Sequence, residues 1–215
     1  MADDNPFTLT FGKHPNEYIS RYESIDTIIQ TFNSRNPMSQ AFLLEGVRGS
    51  GKTVLMTIVE QELAKLGDWI VVDLNSTRKL LEVMAARLES ECRNAADMLK
   101  SGFNLSVAGF GVGINGGEKK LDDVAVIEEI LSSAKKKGKK VLVTIDEVMP
   151  GQDMRHFASQ FQIFLRKDYP VFLLMTGLYE NICAVQNDPA LTFLLRTPKI
   201  TLEPLSLFQI ARQYP

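Results

Sequence analysis

The sequence is poor in the residues that build disulfides, metal centres and nucleophilic triads. Its 215 residues include 2 cysteines, Cys92 and Cys183, which lie far apart and lack the spacing of a metal site. We therefore expect both to be free, buried thiols in a reducing cytosol. The 2 histidines, His14 and His156, stand alone, so the pattern shows no nucleophile with a histidine base.

Strong net charge and long apolar runs are also missing. The 24 basic and 26 acidic residues leave a net charge of −2, which gives no global electrostatic case for binding nucleic acid or a membrane surface. No stretch approaches the roughly 20 apolar residues of a membrane span, and the acidic start of the chain lacks the apolar core of a secretory signal. We therefore expect a cytoplasmic protein that is not in a membrane. The basic run 135–140 ends a helical pattern, which favours a solvated helix end over a binding patch.

A phosphate-binding motif is the most informative feature that is present. Residues 46–53 read G-V-R-G-S-G-K-T and fit the pattern G-x-x-x-x-G-K-[ST]. The backbone N–H groups of such a loop converge on a polyphosphate, and glycine lets the backbone approach it closely. We expect Lys52 to contact the β- and γ-phosphates of ATP and Thr53 to bind Mg²⁺. The predicted nucleotide-binding residues of this loop are Gly46, Val47, Arg48, Gly49, Ser50, Gly51, Lys52 and Thr53.

The flanks of the motif have the pattern that a phosphate loop requires. An apolar run at 41–45 predicts a buried strand before the loop, and helical spacing at 53–66 predicts a helix after it. The remaining apolar runs predict four more strands, at 69–74, 140–145, 170–175 and 199–202. The remaining helical patterns lie at 22–36, 77–99, 123–137 and 153–167. Strands that alternate with helices predict a three-layer α/β fold around a parallel sheet.

An apolar strand that ends in two acids predicts the second half of the site. Asp146 and Glu147 would stand at the carboxyl edge of the sheet, where open α/β sheets bind ligands. We expect Asp146 to hold Mg²⁺ through its water shell and Glu147 to act as the general base for the attacking water. Thr176, at the end of the next strand, is a candidate for contact with the γ-phosphate. The alternative is a threonine that simply finishes a strand.

A glycine-rich segment interrupts the alternation of strands and helices. In residues 101–117 apolar and polar residues alternate, which predicts a hairpin or a flexible insert that is either structural or contacts a partner. Residues 111–116 formally fit the dinucleotide-binding pattern G-x-G-x-x-G. No apolar helix follows them, so we do not predict a dinucleotide site.

The phosphate loop, the Asp146-Glu147 pair and the segment 195–205 together resemble the AAA+ class of P-loop ATPases. More narrowly, the chain resembles prokaryotic ATP-binding proteins related to the origin-recognition and STAND ATPases. Residues 11–23 match that group's adenine-side segment in part, with Ser20 where a glycine usually precedes the arginine. The resemblance covers nearly the whole chain. It implies a five-stranded parallel sheet of order 5-1-4-3-2, with ATP at its carboxyl edge and the adenine contacted by Pro15, Tyr18 and Ile19.

The resemblance also implies a role for Arg196 and a domain organisation. Arg196 stands where this class carries an arginine finger for a neighbour's ATP, the alternative being a surface arginine. We expect residues 1–205 to form the ATPase core and 206–215 to begin a lid helix that is not complete here. The expected function is Mg²⁺-dependent ATP hydrolysis coupled to a protein partner or to self-association. The alternatives are a nucleotide switch with little hydrolysis, and the ATPase core of a protein that binds DNA through regions beyond this chain.

Overall fold

The computed structural model describes residues 22–75, 79–98 and 122–204. Four predicted features lie outside these ranges: the adenine-side residues Pro15, Tyr18 and Ile19, the glycine-rich segment 101–117, the start of the predicted helix at 77, and the lid helix 206–215. In the part of the chain that is described, no helix combines the length and the apolar character needed to cross a membrane.

Five parallel strands form the centre of the fold. They are β1 (Ala41–Gly46), β2 (Trp69–Asn75), β3 (Lys140–Asp146), β4 (Val171–Gly177) and β5 (Lys199–Leu202). Their order across the sheet is β2-β3-β4-β1-β5, and every neighbouring pair is parallel. This is the predicted order counted from the opposite edge, so the predicted topology is confirmed. The inner strands are apolar almost throughout because both faces of the sheet are covered.

Six helices are described around the sheet, and the first five lie close to the predicted positions. They are α1 (Tyr22–Asn33), α2 (Lys52–Lys65), α3 (Leu80–Met98), α4 (Asp123–Lys136), α5 (Gln152–Arg166) and α6 (Tyr179–Gln186). Helix α1 ends at Asn33, three residues before the predicted Asn36, and Pro37 accounts for the loss of helical backbone only at Asn36. Helix α6 and the 3₁₀ segment Pro189–Arg196 were not predicted. Each spans only 8 residues, too few for a clear apolar periodicity. Cys183 on α6 is exposed, so the expectation of a buried thiol is wrong there, whereas Cys92 on α3 is buried.

Two apolar cores, one on each face of the sheet, make the fold three-layered. On one face Phe32 of α1 packs against Phe42 and Phe172, with ring centroids 5.5 and 5.0 Å away. On the other face α5 contributes Phe157 and Phe161, which stack at 5.8 Å. Full burial of each such side chain contributes roughly 1.5–3 kcal/mol to the free energy of unfolding. The helices are therefore held on both faces by packing, and the loops after β1, β3 and β4 leave the sheet at its carboxyl edge.

The register of the sheet sets which residues meet at that edge. Ile145 pairs with Met175, so the next residues, Asp146 and Thr176, lie at the same level at the ends of β3 and β4. Strand β1 lies on the other side of β4 and ends at Gly46. The ends of three adjacent strands therefore bring the phosphate loop and the acidic pair to one place.

Candidate nucleotide-binding site

The phosphate loop connects the end of β1 to the first residue of α2. Gly49 and Gly51 have φ of 77° and 86°, in the left-handed region that residues other than glycine rarely adopt. Gly46 is required for a different reason. A Cβ added there would lie 2.4 Å from the backbone oxygen of Leu202, so glycine permits the close approach of β5. Gly49 and Gly51 thus allow the backbone of the loop to turn, and Gly46 allows strand β5 to pack closely against it.

Lys52, the first residue of α2, is buried against the loop that precedes it. Its side chain is 8% exposed, and Nζ donates to the backbone oxygens of Gly46 at 3.0 Å and Val47 at 2.7 Å. Burial lowers the pKa of Lys52, and the negative charges of Asp146 and Glu147 act in the opposite direction. Two neutral carbonyl oxygens of the loop therefore position the ammonium group. The carboxylates of Asp146 and Glu147 are close enough to favour its protonated form.

Asp146 joins three elements of the site. Its Oδ2 accepts a hydrogen bond from Thr53 Oγ1 at 2.9 Å, and its Oδ1 accepts one from Thr176 Oγ1. The backbone N–H of Glu147 also donates to Oδ1, at 3.1 Å. Thr53 and Thr176 are 93 and 30 residues away in the sequence, so only the fold brings these hydroxyl groups to one carboxylate.

Glu147 has an uncommon backbone conformation. Its φ of 52° is in the left-handed region, which few residues other than glycine adopt. Its N–H donates to Thr176 Oγ1 at 3.1 Å, and the N–H of Val148 donates to the backbone oxygen of Thr176 at 2.8 Å. The side chain of Glu147 is exposed. Strand β4 therefore holds the backbone turn that places this carboxylate at the carboxyl edge of the sheet.

The residues present fit a nucleotide phosphate and Mg²⁺. Ser50 Oγ is buried, at 2% exposure of the residue, and has no hydrogen-bond partner in the described protein. This hydroxyl packs against Gly46 on the side of β5, so the donors left for a phosphate are the backbone N–H groups of the loop, where Gly49 and Gly51 have no neighbouring atom within 4 Å of an added Cβ. The hydroxyl of Thr53 and the carboxylate of Asp146 are hard oxygen ligands of the kind that Mg²⁺ prefers. The loop thus offers donors to a phosphate, and its neighbours offer oxygen atoms to the metal.

The structure does not bring Arg196 to the phosphate loop of its own chain. Arg196 is exposed and ends the 3₁₀ segment just before β5. Strand β5 reaches the level of Gly46 only at its last residue, Leu202. The length of β5, from Lys199 to Leu202, alone separates the two by roughly 10 Å at about 3.3 Å per residue. Arg196 therefore lies toward the opposite end of β5 from the predicted phosphate loop.

Two acidic residues beside the site were not singled out from the sequence. Glu45, 7% exposed on β1, accepts a hydrogen bond from Thr201 at 2.9 Å. Glu60 of α2 accepts one from Thr144 at 2.5 Å, and burial raises the pKa of Glu60. Glu45 could have been found from the sequence, because it is a charged residue at the end of the apolar run of β1. No local pattern distinguishes Glu60 from the other acids of its helix.

The comparisons with known proteins place this geometry in a known fold. No protein-family model and no curated protein matches the sequence. Solved structures do match it. The ORC2 protein of Aeropyrum pernix, solved as ADPNP-ADP complexes, has 15% identity and a TM-score of 0.62 over 94% of this chain and 52% of that chain. Cdc6p of Pyrobaculum aerophilum has 16% identity and a TM-score of 0.58, over 94% and 50%. A Walker-type ATPase of Pyrococcus abyssi has 14% identity and a TM-score of 0.57, over 94% and 58%.

These similarities establish the fold of the chain. With the sheet order β2-β3-β4-β1-β5, the protein has the fold of the AAA+ P-loop ATPases, as the sequence predicted. The neighbours named above are of the Cdc6 and origin-recognition type or are Walker-type ATPases. This chain spans about half the length of each of them, between 50% and 58%.

Proposed function

We propose that this chain is a Mg²⁺-dependent ATPase domain of a larger AAA-type protein. The observation that carries the proposal is the meeting of Thr53, Asp146, Glu147 and Thr176 beside the buried Lys52 at the carboxyl edge of the sheet. A phosphate loop alone accounts for Lys52 and Thr53. The exposed carboxylate of Glu147 next to the Asp146-Thr53 pair adds what hydrolysis requires, a group that accepts a proton.

The chemistry follows from the placement of these side chains. The loop amides and Lys52 bind and orient the phosphates of ATP, and Mg²⁺ held by Thr53 and Asp146 supplies charge neutralisation when it is bound. Glu147 takes a proton from a water molecule as the water oxygen bonds to the γ-phosphorus and the bond to the ADP oxygen breaks. Orientation and electrostatic stabilisation provide most of the acceleration in phosphoryl transfer.

The proposal also covers the domain organisation of the protein, its binding partner and its location in the cell. The fold neighbours are about twice as long as this chain, which supports a larger protein. We propose a core at 1–205 and a lid that begins at 206–215. We propose coupling to a protein partner or to self-association, in a prokaryotic and cytoplasmic protein. The net charge of −2 gives this chain no electrostatic case for DNA, so any DNA contact is assigned to regions beyond it.

Titration calorimetry and phosphate release on the protein test this function directly. We expect ATP and ADP to bind, more tightly with Mg²⁺ than without it, and phosphate to be released from ATP only with Mg²⁺. Binding without release would support the alternative, a nucleotide switch. No binding of either nucleotide, with or without Mg²⁺, would contradict both functions.

Arg196 gives a prediction about assembly. If it acts on a neighbour's ATP, turnover per subunit rises with protein concentration, because the complete site exists only between molecules. We expect Arg196→Ala to flatten that dependence and to leave ATP affinity nearly unchanged, since such an arginine acts mainly on transition-state charge. Steady-state phosphate release over a range of protein concentrations measures both effects.

Two further samples make the Arg196 experiment specific. Arg166→Ala removes the same charge from another exposed helix end, that of α5, and we expect it to keep the concentration dependence of the parent. Mixing Arg196→Ala with Lys52→Ala should restore part of the activity, because one variant keeps the phosphate loop and the other keeps the arginine. Turnover that is independent of concentration, with no rescue on mixing, would make Arg196 a surface arginine.

A further inference from the structure

The hydroxyl of Thr176 has both of its main hydrogen-bonding roles filled within the protein. Thr176 is fully buried, at 0% exposure. Its Oγ1 donates to Asp146 Oδ1 and accepts the N–H of Glu147 at 3.1 Å. A hydroxyl group has one proton to donate. That proton is committed to the carboxylate of Asp146, so it is not directed at a phosphate.

The backbone of Thr176 supports the same stretch of chain. Its carbonyl oxygen accepts the N–H of Val148 at 2.8 Å, on the far side of Glu147 from Asp146. Glu147 itself has φ of 52°, a conformation that costs about 1–3 kcal/mol in residues other than glycine and persists where its surroundings enforce it. Three hydrogen bonds to one residue of β4 therefore fix Asp146, Glu147 and Val148 relative to the sheet.

We propose that Thr176 is a positioning residue of the ATPase site, which acts through Asp146 and Glu147 and not by contact with the γ-phosphate. Its hydroxyl holds the Asp146 carboxylate in the orientation that also receives Thr53, and it anchors the backbone turn that directs Glu147 out of the sheet edge. The inference rests on the proposed function and replaces the γ-phosphate contact that the position of Thr176 at a strand end suggested.

Thr144 provides a matched comparison within the same sheet. It is also fully buried, and it lies on β3 only two residues before Asp146. Its hydroxyl donates to Glu60 at 2.5 Å instead of to Asp146. Replacing either threonine with valine removes a buried hydroxyl from a central strand and preserves its shape. Only the change at Thr176 removes a hydrogen bond from the predicted metal-holding carboxylate.

ADP separates the two roles because it has no γ-phosphate. A residue that contacts the γ-phosphate contributes nothing to ADP binding. A residue that orients Asp146 contributes to metal binding in the ADP complex, whichever nucleotide is present. The informative quantity is therefore the affinity of the ADP complex for Mn²⁺, a spectroscopic substitute for Mg²⁺, measured by electron paramagnetic resonance and independent of hydrolysis.

We expect Thr176→Val to weaken Mn²⁺ binding to the ADP complex by at least about tenfold, the lower end of the effect of losing one hydrogen bond to a charged group. Metal-free ADP affinity should stay unchanged, because the phosphate loop is untouched. Thr176→Ser keeps the hydroxyl and should stay within about twofold of the parent. Thr176→Ala removes the hydroxyl with less bulk and should match Thr176→Val. Thr144→Val should keep the parent's Mn²⁺ affinity, and circular dichroism confirms the fold of each variant.

Three results would overturn the inference, and a fourth would overturn the proposed function on which it rests. Parent Mn²⁺ affinity in the ADP complexes of Thr176→Val and Thr176→Ala, with weaker binding of a non-hydrolysable ATP analogue, would assign Thr176 to the γ-phosphate. An equal loss in Thr144→Val would make the effect a general one of buried strand hydroxyls. If the parent protein binds no ADP, the proposed function itself is refuted. If the parent binds ADP and Mn²⁺ and the Thr176 variants bind them equally well, only this inference is refuted.

Discussion

Replacing Glu147 with glutamine is expected to leave ATP binding intact and to slow hydrolysis by about 10²–10⁴-fold. The amide keeps the size of the side chain, but it cannot accept a proton from the attacking water. The loss corresponds to roughly 3–5 kcal/mol of activation free energy. Because the side chain of Glu147 is exposed and its backbone is held by Thr176 and Asp146, the substitution leaves the turn in place.

Single-turnover phosphate release and calorimetry on the same samples separate the chemical step from binding. Glu129→Gln is the matched control, since Glu129 is an exposed glutamate on α4, away from the carboxyl edge of the sheet. We expect that control to hydrolyse ATP at the parent rate. If Glu147→Gln does so as well, Glu147 has a structural role and the base is another group.

Replacing Lys52 with alanine is expected to weaken ATP binding by at least about a hundredfold, because charge-assisted hydrogen bonds to phosphate contribute roughly 1.5–3 kcal/mol each. The fold should persist. Lys52 is held by the carbonyl oxygens of Gly46 and Val47 at the end of the sheet, and its ammonium group packs in neither apolar core. The substitution therefore removes a cation from the predicted phosphate site without removing a side chain of either apolar core.

Calorimetry with ATP and Mg²⁺ measures the effect, and circular dichroism establishes that the variant is folded. Lys65→Ala is the control on the same helix. Lys65 lies in the last turn of α2 in an exposed ion pair with Glu62 at 2.6 Å, a kind of pair worth about 0–1 kcal/mol. We expect this control to bind ATP like the parent. An unchanged ATP affinity in folded Lys52→Ala protein would refute the phosphate-loop assignment.

The larger part of the fold could be predicted because its signals are local. The inner strands are apolar almost throughout, and helices such as α5 carry a regular apolar face, so their approximate bounds follow from the residues themselves. The order of the strands came from the resemblance to AAA+ proteins, which the fold neighbours support. Helix α6 and the 3₁₀ segment after it escaped prediction, because 8 residues each are too few to show a period.

The sequence by itself specifies the predicted phosphate loop. Its glycines, Lys52 and Thr53 are contiguous, and the flanking strand and helix can be recognised from their own residues. It also placed Asp146 and Glu147 at a strand end, because an apolar run followed by two acids is a local pattern. What the sequence could not determine was how these groups contact one another.

The tertiary structure alone decided the hydrogen bonds of Asp146, the left-handed turn at Glu147 and the distance of Arg196 from its own phosphate loop. The physical reason is that the register between parallel strands arises from packing and pairing between segments that are distant in sequence, and no local periodicity encodes it. Thr53 and Thr176 reach the same carboxylate only because β3 and β4 pair with Ile145 opposite Met175, and α2 packs across them. The loop is therefore a property of eight adjacent residues, whereas the arrangement around Asp146 is a property of the folded sheet.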